Sequence, residues 1–170
     1  MSHGGRYRIE PLTKQPGRDA FTCGVEPLDN YVHHQASQDA RRGFAAVYVA
    51  VDSEPGGIHG FYTLSMAGVV LDLVPPVLRA KMPRYPSVPA IRLGRLAVAT
   101  AARGRGLGRF LLLDAMDRAL RNEVAWAAFI VDAKDDSARA FYLQYGFLSF
   151  LDDTNHLFLP RTTVEAAFKA

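Results

Sequence analysis

The sequence contains one glycine-rich stretch, Arg103-Gly104-Arg105-Gly106-Leu107-Gly108, between two segments of different character. The preceding residues 91–98 are mostly apolar and typical of a β-strand, whereas residues 109–120 carry apolar side chains at helical spacing. A strand, a glycine-rich turn and a helix N-terminus form an anion-binding site, because glycines let a phosphate approach the backbone and the helix dipole adds positive potential. The sequence therefore predicts a phosphate-binding loop.

The spacing of these glycines excludes two common nucleotide-binding loops. A P-loop requires Gly-Lys-Ser/Thr at its end, and the stretch has no such tripeptide. A dinucleotide fingerprint requires the pattern G-x-G-x-x-G, but Gly104, Gly106 and Gly108 fall at G-x-G-x-G.

The pattern Arg103-x-x-Gly106-x-Gly108 instead resembles the coenzyme A loop of the GNAT acyltransferases, which holds the pyrophosphate. The resemblance implies acetyl-CoA as cosubstrate and an oxyanion-stabilising backbone N–H at the end of the preceding strand, where that family splays two strands apart. The alternative is a glycine-rich loop that binds nothing. The implied cofactor-binding residues are Leu96, Ala97, Val98, Arg103, Gly104, Arg105, Gly106, Leu107 and Gly108.

Length and composition predict one folded domain over residues 1–170, since 49% of the residues are hydrophobic and 22% are charged. Cys23 is the only cysteine, so no internal disulfide can form, and no zinc-binding spacing exists; we therefore expect no metal. The N-terminus lacks the apolar segment of a signal peptide, and no apolar run reaches membrane-spanning length. These features predict a cytoplasmic protein without a membrane partner.

Strand and helix patterns alternate along the chain. The order predicts a mixed α/β GNAT fold, with a central, mostly antiparallel sheet splayed into a V and flanked by helices. Strands are predicted at residues 7–10, 45–51, 58–66, 91–98, 127–131, 147–151 and 157–159. Helices are predicted from residue 26 through 40, from the glycine-rich loop to about residue 121, and from Asp135 or Asp136 to Gly146. Residues 71–89 hold five prolines and are predicted to be irregular, with a short helix near residues 77–81.

A second motif, Ala140-Phe141-Tyr142-Leu143-Gln144-Tyr145-Gly146-Phe147, resembles the Phe-Tyr-x-x-x-Gly-Phe segment of the GNAT family. Thiolate departure from a thioester needs a proton donor, and a tyrosine hydroxyl is suited to this because its pKa is near ~10. We therefore predict that Tyr142 is the general acid. The alternative is that Tyr142 and Tyr145 both fill space in the core and that their hydroxyls form hydrogen bonds with the backbone. No residue pattern indicates a dedicated nucleophile, which favours direct acetyl transfer.

Further segments narrow the resemblance to the GNAT toxins of bacterial toxin–antitoxin modules. They are Phe21-x-Cys23-Gly24-x-x-x-Leu28-Asp29-x-Tyr31, Tyr62-Thr63-Leu64-Ser65, Leu93-Gly94-Arg95-Leu96-Ala97-Val98 and Val131-Asp132-Ala133-Lys134-Asp135. The resemblance implies acetylation of the α-amino group of aminoacyl-tRNA, which blocks translation, and neutralisation by a ribbon–helix–helix antitoxin. Two alternatives remain: a GNAT enzyme acting on a small amine or protein N-terminus, and a non-catalytic acetyl-CoA-binding module.

The charge pattern is consistent with an RNA substrate. The formal net charge is +3, and arginines and lysines cluster near the proline-rich segment and the following strand. Arg92 and Arg95 lie three positions apart in that strand, so a regular strand places them on opposite faces, and we expect one of them to point into the acceptor cleft. A homodimer would present two such basic surfaces to one RNA. The predicted substrate-binding residues are Arg41, Arg42, Arg79, Lys81, Arg84, Arg92 and Arg95.

Overall fold

The computed structural model describes residues 2–3, 6–52 and 57–169. Contacts divide these residues into two compact units. The first comprises the described residues up to Ser65 together with Gly94–Arg118, and the second comprises Met66–Leu93 together with the described residues from Ala119 onward. One domain over residues 1–170 stays a prediction.

The strands of the first unit pair in chain order. Strand β1 (Ser2–His3) pairs antiparallel with β2 (Tyr7–Pro11), β2 with β3 (Ala46–Asp52), and β3 with β4 (Ile58–Val70). The β3–β4 hairpin confirms the predicted strand pair, and its turn at residues 53–56 lies outside the described residues. Strand β4 continues beyond the predicted end at residue 66 to Val70, and the burial of its side chains alternates over this extension.

The first predicted helix forms, but with an interruption that the apolar spacing did not reveal. It consists of α1 (Glu26–Asn30), a π-helical turn (Tyr31–Gln35) and α2 (Ala36–Arg42). The π-turn is closed by the backbone N–H of Ala36, which donates to the carbonyl oxygen of Tyr31. Such turns insert one extra residue and rotate the rest of the helix relative to its start.

Helix α4 (Leu107–Arg121) lies very close to strand β4 at Gly60. A Cβ atom at position 60 would come within 2.9 Å of Leu111 Cδ1, 3.0 Å of the Ala97 carbonyl oxygen and 3.4 Å of Leu107 Cδ2. These neighbours belong to the first turns of α4 and to the end of strand β5 (Ser87–Val98). Only glycine leaves room for this approach. The approach holds the end of β5 and the start of α4, which are the two segments that flank the glycine-rich loop.

Among the described strand pairings, one is parallel, and it lies in the second unit. Residues 90–93 of β5 pair parallel with residues 128–131 of β6 (Ala128–Asp132). Strand β8 (His156–Pro160) pairs antiparallel with β6 on one side and with β7 (Leu148–Ser149) on the other. The predominantly antiparallel pairings confirm the predicted fold class, whereas the predicted divergence of β5 and β6 stays a prediction.

Three short helices complete the second unit. They are α3 (Pro76–Arg79), α5 (Asp136–Leu143) and α6 (Arg161–Ala167). Asp135 caps α5 as predicted, accepting the backbone N–H of Ala138 at 2.8 Å, and Gly146 adopts φ +89° after the helix. The proline-rich segment is more ordered than predicted, since β5 already begins at Ser87. Helix α6 was not predicted, because Val164 is its only buried residue and the segment has no helical repeat of apolar side chains.

A cluster of apolar side chains forms the core of the second unit. Its buried members are Val69, Val74, Val88, Ala90, Ala128, Ile130, Phe150 and Phe158, and Leu78 and Met82 of the proline-rich segment pack against it. No helix within the described ranges is both long and apolar enough to cross a membrane.

We predict that Gly60→Ala lowers the free energy of unfolding by about 1–3 kcal/mol, because the new methyl group meets backbone and two packed leucines. Gly68→Ala is the matched control within the same strand, since its new Cβ meets only the hydroxyl of Ser87, which can rotate away. Urea unfolding measures both variants. Equal losses of stability at the two positions would contradict the role given to Gly60.

Candidate functional site

The glycine-rich loop has the backbone conformation of an anion cradle. Gly104 and Gly106 have φ of +78° and +75°, a region that residues with a Cβ adopt rarely. Phe110 donates the first intrahelical hydrogen bond of α4 to the Gly106 carbonyl oxygen at 3.1 Å. The N–H groups of the three preceding residues therefore have no acceptor inside the helix, and they point out of its N-terminus. This arrangement can bind a phosphate.

The segment before the loop is fixed by two backbone hydrogen bonds. The N–H of Ala99 donates to the His59 carbonyl oxygen at 2.8 Å, and the N–H of Thr100 donates to the Thr22 carbonyl oxygen at 2.9 Å. Of the strand-end residues Leu96, Ala97 and Val98, only Ala97 is buried, beneath Gly60. The loop is thus held at its strand end as well as at its helix end.

The two loop arginines contact protein groups of the same unit. The Arg103 guanidinium donates a hydrogen bond to the Cys23 carbonyl oxygen, and Arg105 Nη1 donates to the Tyr7 hydroxyl at 3.3 Å. Both residues remain exposed. Their side chains therefore hold the loop to its surroundings, while the backbone N–H groups are the part of the loop available to a ligand.

Tyr142 is buried in the second unit, with 7% of its surface exposed. Its ring packs against Phe141 and Phe147, with centroid distances of 5.2 and 5.3 Å. Burial raises the pKa of its hydroxyl, so the group stays protonated at neutral pH. Within the described part of the chain, this hydroxyl has no protein hydrogen-bond partner.

Arg95 lies in the first unit, with its guanidinium carbon 3.7 Å from the centroid of the Tyr31 ring. The Tyr31 hydroxyl donates to Asp39 Oδ2 at 2.9 Å, and Gln35 Nε2 donates to Asp39 Oδ1 at 2.9 Å. Burial, followed by the hydrogen bond to Asp39, raises the pKa of Tyr31 to about 12. The hydroxyl therefore stays a donor over the physiological pH range.

Arg92 lies in the second unit and faces one carboxylate at ion-pair distance without a hydrogen bond from its Nε atom. Its Nε atom is 3.8 Å from Asp132 Oδ2, and the other oxygen of Asp132 is 3.9 Å from His156 Nε2. His156 Nδ1 lies 3.1 Å from Asp152. The charge of Arg92 is thus partly compensated at ion-pair distance, whereas no carboxylate of the described residues lies that close to Arg95.

The remaining predicted basic residues are distributed over both units. Arg79 lies at the end of α3, where Asp72 approaches it at 3.6 Å, and Lys81 and Arg84 follow it as exposed side chains. Arg41 and Arg42 end helix α2, and Arg42 stacks over Phe44. The structure therefore brings Arg79, Lys81 and Arg84 into one short segment, and Arg41 and Arg42 onto a separate helix.

Two groups of polar residues were missed at the sequence level. Tyr31 belongs to the first of the segments that resemble the GNAT toxins, but its hydrogen bond to Asp39 depends on the π-turn, for which the sequence gives no signal. Asp114 lies on the apolar face of α4, 1% exposed, where it accepts hydrogen bonds from Tyr62 at 2.5 Å and Arg118 at 2.8 Å. An acid among apolar helix positions is a detectable signal of such a buried pair. Among the described residues, no group of three or more His, Cys, Asp or Glu side chains could hold a metal ion.

Comparison with known proteins identifies the family. Residues 43–148 match the family model described as acetyltransferase (GNAT) domain. A protein named tRNA-acetylating toxin, from Mycobacterium tuberculosis, is 35% identical over 142 residues, which cover 82% of this chain and 83% of the relative. The structure of AtaT complexed with acetyl-methionyl-tRNAfMet superimposes with a TM-score of 0.87 at 26% identity, covering 96% of this chain and 99% of the other. The structure of AtaTR bound with AcCoA gives a TM-score of 0.83 at 26% identity, with the same coverage.

The family match extends over more than half of the chain, from strand β3 to strand β7. It includes both the glycine-rich loop and the Phe-Tyr motif on which the resemblance was based. The chain belongs to the GNAT family of acetyltransferases.

Proposed function

We propose that this protein is a toxin that transfers the acetyl group of acetyl-CoA to the α-amino group of aminoacyl-tRNA, which blocks translation. The observation that carries the proposal is the 35% identity, over most of both chains, to a protein named tRNA-acetylating toxin. The likeness to AtaT complexed with acetyl-methionyl-tRNAfMet supports the same substrate class.

The glycine-rich loop is the part of the chain that we propose holds the pyrophosphate of acetyl-CoA. Backbone N–H groups of Arg105, Gly106 and Gly108 supply the contacts, because both arginine side chains already have protein partners. The end of β5, residues 96–98, supplies a backbone N–H to the oxygen that becomes negatively charged during transfer.

Tyr142 is the residue that we propose donates the proton. The α-amine attacks the thioester carbonyl carbon, the C–S bond breaks, and the sulfur leaves with the proton of the Tyr142 hydroxyl. The motif supports this role, and so does the absence of a protein hydrogen-bond partner for the hydroxyl among the described residues, which leaves its proton available to the sulfur. The phenolate then recovers a proton from solvent or from the acylated amine.

The basic residues at positions 41, 42, 79, 81, 84, 92 and 95 are proposed to contact RNA phosphates. Cationic side chains repel a protonated polyamine and attract a polyanion, so this set favours an RNA-linked amine over a free one. The resemblance to toxins further supports a ribbon–helix–helix antitoxin as partner, a homodimer, and a cytoplasmic location where charged tRNA is available.

The proposed substrate is tested by incubating the protein with labelled acetyl-CoA and total charged tRNA. We expect label to be recovered in the acetylated aminoacyl end, and to be absent when the tRNA is deacylated beforehand. Spermidine and a peptide with a free N-terminus are the competing acceptors. Efficient labelling of either, without labelling of any charged tRNA, would replace this proposal by the small-amine or protein N-terminus function.

The role of the loop is tested by Gly108→Leu. Leucine is a better helix former than glycine, so α4 should remain folded, while the added side chain at the second helical position obstructs the phosphate. We expect acetyl-CoA affinity in calorimetry to fall by at least about tenfold, the effect of losing one charge-assisted hydrogen bond or more. Ala101→Leu adds the same bulk at an exposed neighbouring position and should leave affinity unchanged. Unchanged affinity of Gly108→Leu would argue against the loop as the binding site.

The role of Tyr142 is tested by Tyr142→Phe, which removes only the hydroxyl. We expect unchanged acetyl-CoA affinity and a single-turnover rate reduced by about 10²–10⁴-fold, the usual contribution of general acid catalysis. Tyr145→Phe is the matched control three residues further on, and it should retain most activity. A Tyr142→Phe rate close to that of the unaltered protein would return Tyr142 to a packing role.

A further inference from the structure

We propose that Arg95, stacked on the ring of Tyr31, is a preorganised binding site for one phosphodiester group of the RNA acceptor strand, and that Tyr31 is its positioning residue. This inference rests on the proposed function, because it names the part of the RNA that this side chain recognises. It also gives the interrupted first helix a role, because nothing in acetyl-CoA binding requires a π-turn in that helix.

The π-turn places Tyr31 and Asp39 on the same face of the helix. In a regular α-helix, residues eight positions apart differ in direction by about 80°, because each residue turns the helix by about 100°. One inserted residue makes them equivalent to a pair seven positions apart, which differ by only about 20°. The hydrogen bond of 2.9 Å between the Tyr31 hydroxyl and Asp39 is the result.

The Tyr31 ring is fixed by its surroundings. Only 6% of the residue is exposed, and its ring lies nearly parallel to that of Phe61, with an interplanar angle of 19° and a centroid distance of 6.1 Å. Gln35 holds the second oxygen of Asp39, so the carboxylate that receives the Tyr31 hydroxyl is itself oriented. The ring is therefore a rigid support, and the guanidinium 3.7 Å from its centroid loses little further freedom when it binds a ligand.

The Arg95 guanidinium keeps its hydrogen-bonding edge available. A guanidinium stacked on a ring uses one of its faces, whereas its N–H donors lie in the plane. No carboxylate of the described residues lies within ion-pair distance of it, and no hydrogen bond from it is made to them. The hydrogen bond from Gln35 is the largest cause that lowers the pKa of Asp39, and the positive charge of Arg95 also lowers it without a hydrogen bond between the two. Arg92 differs, since its Nε atom faces Asp132.

The chemistry of this site selects an anion with several oxygen atoms. A planar guanidinium binds phosphate oxygens through two parallel hydrogen bonds, and stacking on an aromatic ring leaves that geometry intact. It repels the ammonium form of the amine to be acetylated. The phosphodiester backbone next to the aminoacyl end is the anionic group that every such substrate carries, so it is the ligand that we assign.

Four variants separate the site from its support: Tyr31→Phe, Tyr31→Leu, Arg95→Lys and Arg95→Gln. The probe is labelled, deacylated tRNA at several salt concentrations, and acetylation of charged tRNA gives kcat and KM. Tyr31→Leu removes the ring and should raise KM between about twofold and thirtyfold, the range of cation–π contributions. Tyr31→Phe keeps the ring and should restore KM to within about threefold of the unaltered protein. Acetyl-CoA affinity and kcat should be unchanged in both.

The two Arg95 variants test the ligand without disturbing the buried tyrosine. Arg95→Gln should reduce the slope of log affinity against log salt by about 0.7–0.9, the value for one lost phosphate contact, whereas Arg95→Lys should retain the slope with weaker affinity. Arg8→Gln is the control, since this exposed arginine lies outside the proposed RNA-contacting set and is already paired with Glu10 at 3.1 Å, and it should leave the slope unchanged.

Three outcomes would overturn the inference. They are an unchanged salt slope in Arg95→Gln, a fall in kcat rather than a rise in KM, and equal KM values for folded Tyr31→Leu and Tyr31→Phe. If Tyr31→Leu does not fold, the slopes of the Arg95 variants decide alone. Failure of the unaltered protein to acetylate any charged tRNA would instead refute the proposed function, and the deacylated tRNA measurements would still report on the phosphate site.

Discussion

The close approach of helix α4 to strand β4 is the constraint on which the first unit depends. At Gly60 the missing side chain lets Leu107 and Leu111 pack directly over the strand, beside the Ala97 carbonyl oxygen. The positive φ angles of Gly104 and Gly106 turn the chain from the end of β5 into this helix. The packing of α4 on β4 therefore determines where the N–H groups without an intrahelical acceptor lie.

A buried polar cluster secures the other end of the same helix. Asp114 would be costly to bury alone, but it accepts hydrogen bonds from Tyr62 and Arg118. Arg118 also donates to the Ile9 carbonyl oxygen and lies 4.2 Å from the centroid of the Tyr48 ring. These contacts join α4 to β2, β3 and β4, so rotation of the helix would break several hydrogen bonds at once. Such a cluster specifies the orientation of the helix, which hydrophobic packing alone leaves less restricted.

The sequence predicted those features that depend on local patterns. The loop is marked by glycines at fixed spacing, and α4 by apolar residues at helical spacing. The β3–β4 hairpin is marked by two strand-forming segments with turn residues between them. The π-turn at Tyr31 and the stack of Arg95 on it were not predictable, because they depend on which helix faces which strand. Helix α6 and the early start of β5 at Ser87 were missed, since short elements in the second unit are stabilised by tertiary contacts rather than by their own periodicity. Tyr142 was selected by its motif, whereas its burial and unpartnered hydroxyl required the structure.

Charge compensation separates arginines that the sequence presents as equivalent. Arg92 and Arg95 lie three residues apart in one strand, yet one faces a carboxylate and the other an aromatic ring. An arginine that already has an acidic partner gains less from a phosphate, because that partner must be displaced or repels the ligand. A ring holds the guanidinium without forming an ion pair with it, so its N–H donors remain available to a polyanion. A count of basic residues therefore overstates the number of phosphate contacts, and the partners of each arginine are a better guide to where an RNA strand binds.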